Sequence, residues 1–190
     1  MPNPTLTWHA RRASMALKAG DVIAYPTEAV WGLGCDPANE TAMKRLLALK
    51  QRPKEKGVIL IAADLAQVAH LLAPLPDELR AKAESLWPGF VTCILPDLER
   101  QVPDWIRGRH DAVAVRVSRH PSVVALCRAF GGPIVSTSCN PSGRPPATTA
   151  FAARRYFNQR VQTFMVGHPD QQTGPSPILE LSSGRYLRGR

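Results

Sequence analysis

The sequence predicts an α/β protein with a mixed sheet, and three observations predict it. Short runs rich in Val and Ile alternate with longer amphipathic stretches. Those stretches carry caps and stops at their ends. Polar loops of Ser, Thr, Pro and Gly follow directly on apolar runs, the position at which α/β sheets place ligands.

The elements follow in chain order. A helix is expected over residues 8–19, capped by Thr7, with Trp8, Met15 and Leu17 as apolar contacts and Gly20 as its stop. "VIAY" then reads as a short strand. From Asn39 to Lys50, Met43, Leu46, Leu47 and Leu49 recur at helical spacing, with Asn39 as cap, Glu40 early and Arg45 and Lys50 late, as the helix dipole favours. "VILIA" (58–62) reads as a strand, and "DLAQVAHLL" as a helix opened by an Asp-x-x-Gln capping box. A helix over 77–86, strands in "FVTCIL" and "AVAVRV", a Pro-initiated helix over 121–130 and a strand in "PIVS" continue the alternation. Residues 136–149 read as a loop and 150–157 as a helix. "VQTFMV", "SPILEL" and "RYLR" read as closing strands. No repeat or composition break marks a second domain, so residues 9–190 are expected to form one.

The chain has 190 residues, 44% of them hydrophobic, enough for one substantial core. Lys and Arg exceed Asp and Glu by 24 to 15, and the resulting field favours anionic partners such as nucleotides, RNA or acidic membranes. Cys35, Cys93, Cys127 and Cys139 form no C-x-x-C pair, which speaks against a zinc site and a disulfide framework. The N-terminus lacks a continuous apolar signal region, and no segment approaches the roughly 18 apolar residues of a membrane span. A soluble, cytoplasmic protein without membrane association is expected.

Signatures of a P-loop, a nucleophile elbow or a zinc protease are absent, and "GLGCDP" fails the dinucleotide fingerprint at its last glycine. What remains are three polar stretches, "YPTEAVWGLG", "KQRPKEKG" and "STSCN", and one arginine on a strand. Lys50 and Arg52 read equally as basic residues favouring a helix C-terminus or as ligands for an anion. In "AVAVRV", Val113, Val115 and Val117 form one apolar row, which puts Arg116 on the opposite face, paired with a carboxylate or presented to an anionic ligand. In "STSCN", Ser136, Ser138 and Asn140 alternate along one side of an extended segment.

The motifs "AYPTEAVWGLGCDP" (24–37), K-x-R in "KQRP" (50–53), "WPG" (87–89), "AVRV" (114–117) and S-x-N in "STSCNPSGRPP" (136–146) resemble the YrdC-like family, in its single-domain bacterial form. The resemblance implies a twisted open mixed sheet with helices packed on it and a basic concave face. It further implies an enzyme that joins L-threonine, bicarbonate and ATP, carried with Mg2+, into threonylcarbamoyl-AMP with release of pyrophosphate. No structural metal is implied. Partner proteins would move the threonylcarbamoyl group to an adenosine beside the tRNA anticodon. By the same resemblance Lys50 and Arg52 meet ATP phosphates with Lys56 nearby, and Ser138 and Asn140 contact nucleotide. Thr148, Ser176 and Arg188 join the ATP site. Thr27, Ala29 and Arg116 hold threonine. The alternative reading is a non-catalytic module that binds duplex RNA or tRNA through the same basic cleft. Three positions depart from the family pattern: Gly57, Cys139 and Pro177. Candidate covers for a water-sensitive product are "RPKEKG" and the segment 167–176.

Overall fold

The computed structural model describes residues 4–170, 172 and 174–189. Helix α1 (Pro4–Lys18) leads into a hairpin of β1 (Ile23–Pro26) and β2 (Trp31–Gly34). Next come α2 (Glu40–Lys50), a 3-10 turn at Lys54–Lys56 and β3 (Ile59–Ala62). A second 3-10 turn, Leu65–Val68, runs into α3 (Ala69–Leu72), followed by α4 (Asp77–Leu86), β4 (Thr92–Pro96) and α5 (Asp104–Arg107). The remainder comprises β5 (Ala112–Val117), α6 (Pro121–Phe130), β6 (Ile134–Ser138), α7 (Ala150–Phe157), β7 (Thr163–Phe164), β8 (Ile178–Glu180) and β9 (Tyr186–Arg188). The nine strands lie in the order β7-β1-β2-β6-β3-β5-β4-β8-β9. β3 and β5 are parallel, whereas β6 runs antiparallel to both β2 and β3, so the sheet is mixed.

The alternation of side chains sorts the core onto two faces. Leu60, Val113, Val115, Val117 and Val135 join α2, α4 and α7 through Met43, Leu46, Ala83 and Phe157. On the other face Ile23, Tyr25, Ile61 and Ile134 meet α1 and α6 through Ala13, Leu17, Val123 and Leu126. That second face is covered over only part of its length. Ser136, Ile59, Ala114, Ile94 and Glu180 are register partners across β6, β3, β5, β4 and β8, and all five line an open cavity. One step along, the row Ile134, Ile61 and Arg116 passes from beneath the helices to the cavity's edge. The concave face is therefore the uncovered part of a sheet face, floored by small and branched side chains.

Several elements differ from the sequence expectation. Helix α1 starts at Pro4, which places Thr7 inside it. Its buried side is Ala10, Ala13, Ser14 and Leu17, while Trp8 and Met15 are 56% and 72% exposed. Small residues let α1 approach α6 closely, and the Ser14 hydroxyl donates to the Ala129 carbonyl at 2.9 Å. Asp64 caps as expected, accepting from the Gln67 amide at 3.3 Å, but Gln67 does not reach back to it. Its Oε1 accepts from the Ala63 amide and its Nε2 donates to the Cys127 carbonyl, tying this turn to α6. Strand β2 falls within a stretch read as polar, and β6 runs on past "PIVS" through Thr137 and Ser138, read as loop. "VQTFMV" contributes only Thr163–Phe164 as strand. Among the described residues no helix is long and apolar enough to cross a membrane.

Candidate active site

The cavity has a volume of about 810 Å³. Its wall carries Arg52, Lys56, Arg107, Arg109, Arg116 and Arg188 against the carboxylates of Asp111 and Glu180. The excess of cations makes the concave face basic. Eight of the eleven site residues that the resemblance implied line it: Thr27, Ala29, Arg52, Lys56, Arg116, Ser138, Ser176 and Arg188.

Arg116 is fixed by β5, whose alternate residues Val113, Val115 and Val117 are buried in the opposite core. Of the two alternatives left open for it, the carboxylate pairing is the one observed. Its Nη2 lies 3.4 Å from Glu28 Oε2, with both side chains buried, and the guanidinium still borders the cavity. Glu28 Oε1 accepts from the Ser118 hydroxyl at 2.6 Å, which turns the carboxylate toward the arginine. Glu28 Oε2 and Arg116 Nε have no hydrogen-bond partner, so the pair retains polar capacity in a buried setting. Glu28 sits in the turn between β1 and β2, where the Thr27 amide and hydroxyl both donate to the Val30 carbonyl, at 3.1 and 2.7 Å. Gly32 in β2 keeps that end narrow, since a Cβ there would meet the Tyr25 ring at 3.1 Å and the Thr27 methyl at 3.3 Å. Beneath the floor, the Tyr25 hydroxyl donates to Ser136 Oγ at 2.7 Å, and burial raises the Tyr25 pKa.

The opposite wall is made by the segment after α2. Arg52 donates from Nε and Nη2 to the Gly57 carbonyl at 3.2 and 2.9 Å, which curls the backbone around its guanidinium and brings Lys56 to the cavity. Arg188 reaches back from β9 and donates to the Ser176 carbonyl at 3.1 and 2.8 Å. Burial lowers the pKa of both arginines, and Arg188 is further lowered by Arg116 and Arg52. These mutually repelling cations form a site primed for an anion. Ser176 Oγ lies 3.0 Å from Thr92 Oγ1. Pro177 has no amide hydrogen to donate and instead accepts from the Thr92 amide at 2.9 Å, so the departure is absorbed by pairing with β4.

The structure places Lys50, Asn140 and Thr148 differently from the expectation. None of the three lines the cavity. Lys50 is 3% exposed, and its ammonium donates to the Ser138 carbonyl, to the Asn140 carbonyl at 2.8 Å and toward Asn140 Oδ1 at 3.4 Å. These three acceptors account for its three hydrogens. Its own carbonyl accepts from the Ser142 amide at 2.8 Å. Burial pulls its pKa down to about 8, with a smaller lowering from Arg52 and an opposing pull from Cys139. Asn140 Nδ2 donates to the Pro141 and Arg144 carbonyls, which folds the loop on itself. Lys50 and Asn140 thus brace the strand end that presents Ser138. Thr148 is exposed on the outer side of that loop. Cys139 is fully buried between them, and burial pushes its thiol up to about 12, as befits a small core filler.

Sequence reasoning missed Glu28, Arg107 and Arg109. Glu28 is the acidic residue nearest in sequence to Thr27, and a buried strand arginine asks for such a partner. Arg107 is buried, with Nε donating to the Val102 carbonyl at 2.8 Å and lying 3.3 Å from Asp97 Oδ2, and with Nη2 donating to Asp104. Both candidate covers reach the cavity, the first through Arg52, Lys56 and Gly57 and the second through Pro175 and Ser176, while His168 meets the start of α6 through a 3.1 Å contact of its carbonyl with His120 Nε2. Positions 171 and 173 of the second cover lie outside the described residues. Among the described residues no group of three His, Cys, Asp or Glu is arranged to hold a metal ion.

A family model for Sua5/YciO/YrdC, described as "Telomere recombination", matches residues 15–189. The chain is 54% identical to a threonylcarbamoyl-AMP synthase of Marinobacter nauticus, covering 93% of each chain. It is 50% identical to one of Halorhodospira halophila, covering 98% of this chain and 97% of that one. Among solved structures, P. abyssi Sua5 complexed with L-threonine superposes with a TM-score of 0.85 at 32% identity over 93% of this chain, which spans 52% of the Sua5 chain. E. coli YciO shares the fold, with a TM-score of 0.81 at 23% identity and coverage of 96% and 89%. Motif order, sheet topology and near full-length identity agree: the chain belongs to the Sua5/YciO/YrdC family.

Proposed function

We propose that this protein is a threonylcarbamoyl-AMP synthase, condensing L-threonine, bicarbonate and MgATP into threonylcarbamoyl-AMP and pyrophosphate. The observation that carries the reading is the division of one cavity. A buried Arg116–Glu28 pair stands at one part of its wall, and Arg52, Lys56 and Arg188 at another. The first suits the carboxylate of a small amino acid, the second a polyphosphate. A non-catalytic RNA module would leave the buried pair without a purpose.

In this reading the threonine amine and bicarbonate form a carbamate with loss of water. A carbamate oxygen then attacks the α-phosphorus of ATP, the bond to the bridging oxygen breaks, and pyrophosphate departs with the electron pair. The reaction needs no enzyme nucleophile; it needs positioning and neutralisation of the charge that grows on the leaving group. Arg116 fixes the threonine carboxylate beside Thr27 and Ala29. Arg52, Lys56 and Arg188 neutralise the triphosphate, with Ser176 at its margin. Ser136 and Ser138 supply hydroxyls to the nucleotide, and Lys50 and Asn140 hold Ser138 in place. The product would pass to partner proteins that modify tRNA in the cytoplasm.

The test is an incubation with MgATP, threonine and bicarbonate, following pyrophosphate release and the adenylate by mass. The expected result is turnover only when all three are present. Pyrophosphate release that is indifferent to threonine would overturn the assignment.

A further inference from the structure

Two loops that meet at the cavity are sewn together by backbone. The Val58 amide donates to the Ile106 carbonyl at 2.9 Å, and the Arg109 amide donates to the Glu55 carbonyl at 3.1 Å. Gly57 and Gly108 allow the approach: a Cβ on Gly57 would lie 2.5 Å from the Arg107 carbonyl oxygen, and one on Gly108 would lie 2.4 Å from that of Glu55. Both glycines have positive φ, +59° and +70°. The turn after α5 is in turn anchored by Arg107, buried against Asp97 and Asp104.

The cations at this wall differ in their commitments. Arg52 and Arg188 donate to backbone carbonyls, Arg107 is held by aspartates and Arg116 faces Glu28. Among the described residues Lys56 and Arg109 alone of the six have side chains with no hydrogen bond or ion pair. The neighbouring Asp111 lies 3.5 Å from Arg100 and 3.9 Å from Arg107. Both uncommitted side chains border the cavity, and the Arg109–Glu55 bond fixes their backbones one residue apart. Both side chains are exposed and hydrated, and a cation without a carboxylate beside a basic cavity raises the local potential and is free to pair with an arriving anion.

We propose that Arg109 is a further phosphate-binding residue, delivered to the β- and γ-phosphates of ATP together with Lys56 as one stitched unit. The proposal rests on the ATP-dependent reading above. Its test compares MgATP with AMP, which lacks those phosphates, by calorimetry on the full chain. Arg109→Ala keeps the backbone bond to Glu55, so the fold is retained. It should weaken MgATP about tenfold or more and leave AMP within about twofold. Arg109→Lys should recover part of the loss. Equal weakening of both ligands would show a merely structural role, and unchanged MgATP affinity would remove Arg109 from the site; either result overturns the proposal. Failure of the unmodified protein to bind MgATP would instead strike the ATP-dependent reading itself, and the proposal with it.

Discussion

Replacing Lys50 with Met separates a bracing role from a phosphate-contacting one. The ammonium is held in a buried site at a pKa of about 8, against an ordinary value of 10.5, which corresponds to roughly 3 kcal/mol of desolvation carried by the folded protein at neutral pH. Met removes that cost. It also strands the Ser138 and Asn140 carbonyls and Asn140 Oδ1, and each buried orphan acceptor costs about 1–3 kcal/mol. The second effect wins, for a net loss of about 2–4 kcal/mol. At about 2–4 °C per kcal/mol for a chain of this size, the midpoint should fall by about 4–16 °C in thermal unfolding. A pH dependence accompanies it. Between about pH 8 and 10.5 the unfolded chain binds the Lys50 proton and the folded chain does not, so wild-type stability rises with pH through that window, by at most ~1.4 kcal/mol per unit. This contribution is absent in the variant. MgATP binding should weaken alongside stability because Ser138 loses its support. An unchanged midpoint with a selective loss of MgATP affinity would refute the bracing argument and make Lys50 a direct phosphate ligand.

Glu28→Gln should raise the threonine KM while leaving MgATP affinity near normal, and Glu28→Ala should also cost about 3–5 kcal/mol, because Arg116 then remains buried without its carboxylate. Threonine titration and chemical denaturation check the two parts, and a parallel loss of MgATP affinity would count against a local role. Gly57→Ala forces a side chain into φ +59° and to 2.5 Å from a backbone oxygen, so stability should fall by at least about 2 kcal/mol, read as a lower denaturant midpoint at constant slope.

Much of the architecture was legible because α2, β3, β5 and α6 carry unambiguous periodicity and caps, and Asn39 accepts from the Ala42 amide as its position predicts. Strand β2 was not, because its alternate residues are Gly32 and Gly34, which weaken any strand signal. Their reason is tertiary: a Cβ on Gly34 would fall 2.5 Å from the Val135 carbonyl oxygen of β6. The face of α1 was misjudged for a related reason, since its packing runs through Ala10 and Ala13 and leaves Trp8 outside. In the site, alternation along β5 was enough to isolate Arg116. Lys50 was harder, because a lysine at a helix C-terminus looks the same whether its ammonium reaches an anion or three carbonyls. Arg109 was invisible, since nothing local records that its loop is bonded to the one bearing Lys56.

The strand alternation also separates two kinds of change. On β5, Val113 and Val115 lock the fold from one side, while Ala112 and Ala114 face the cavity from the other and touch none of that packing. A larger side chain at either alanine would reshape the chamber without loosening the scaffold. The chamber can therefore be narrowed toward a smaller amino acid by successive single substitutions, each leaving a foldable intermediate.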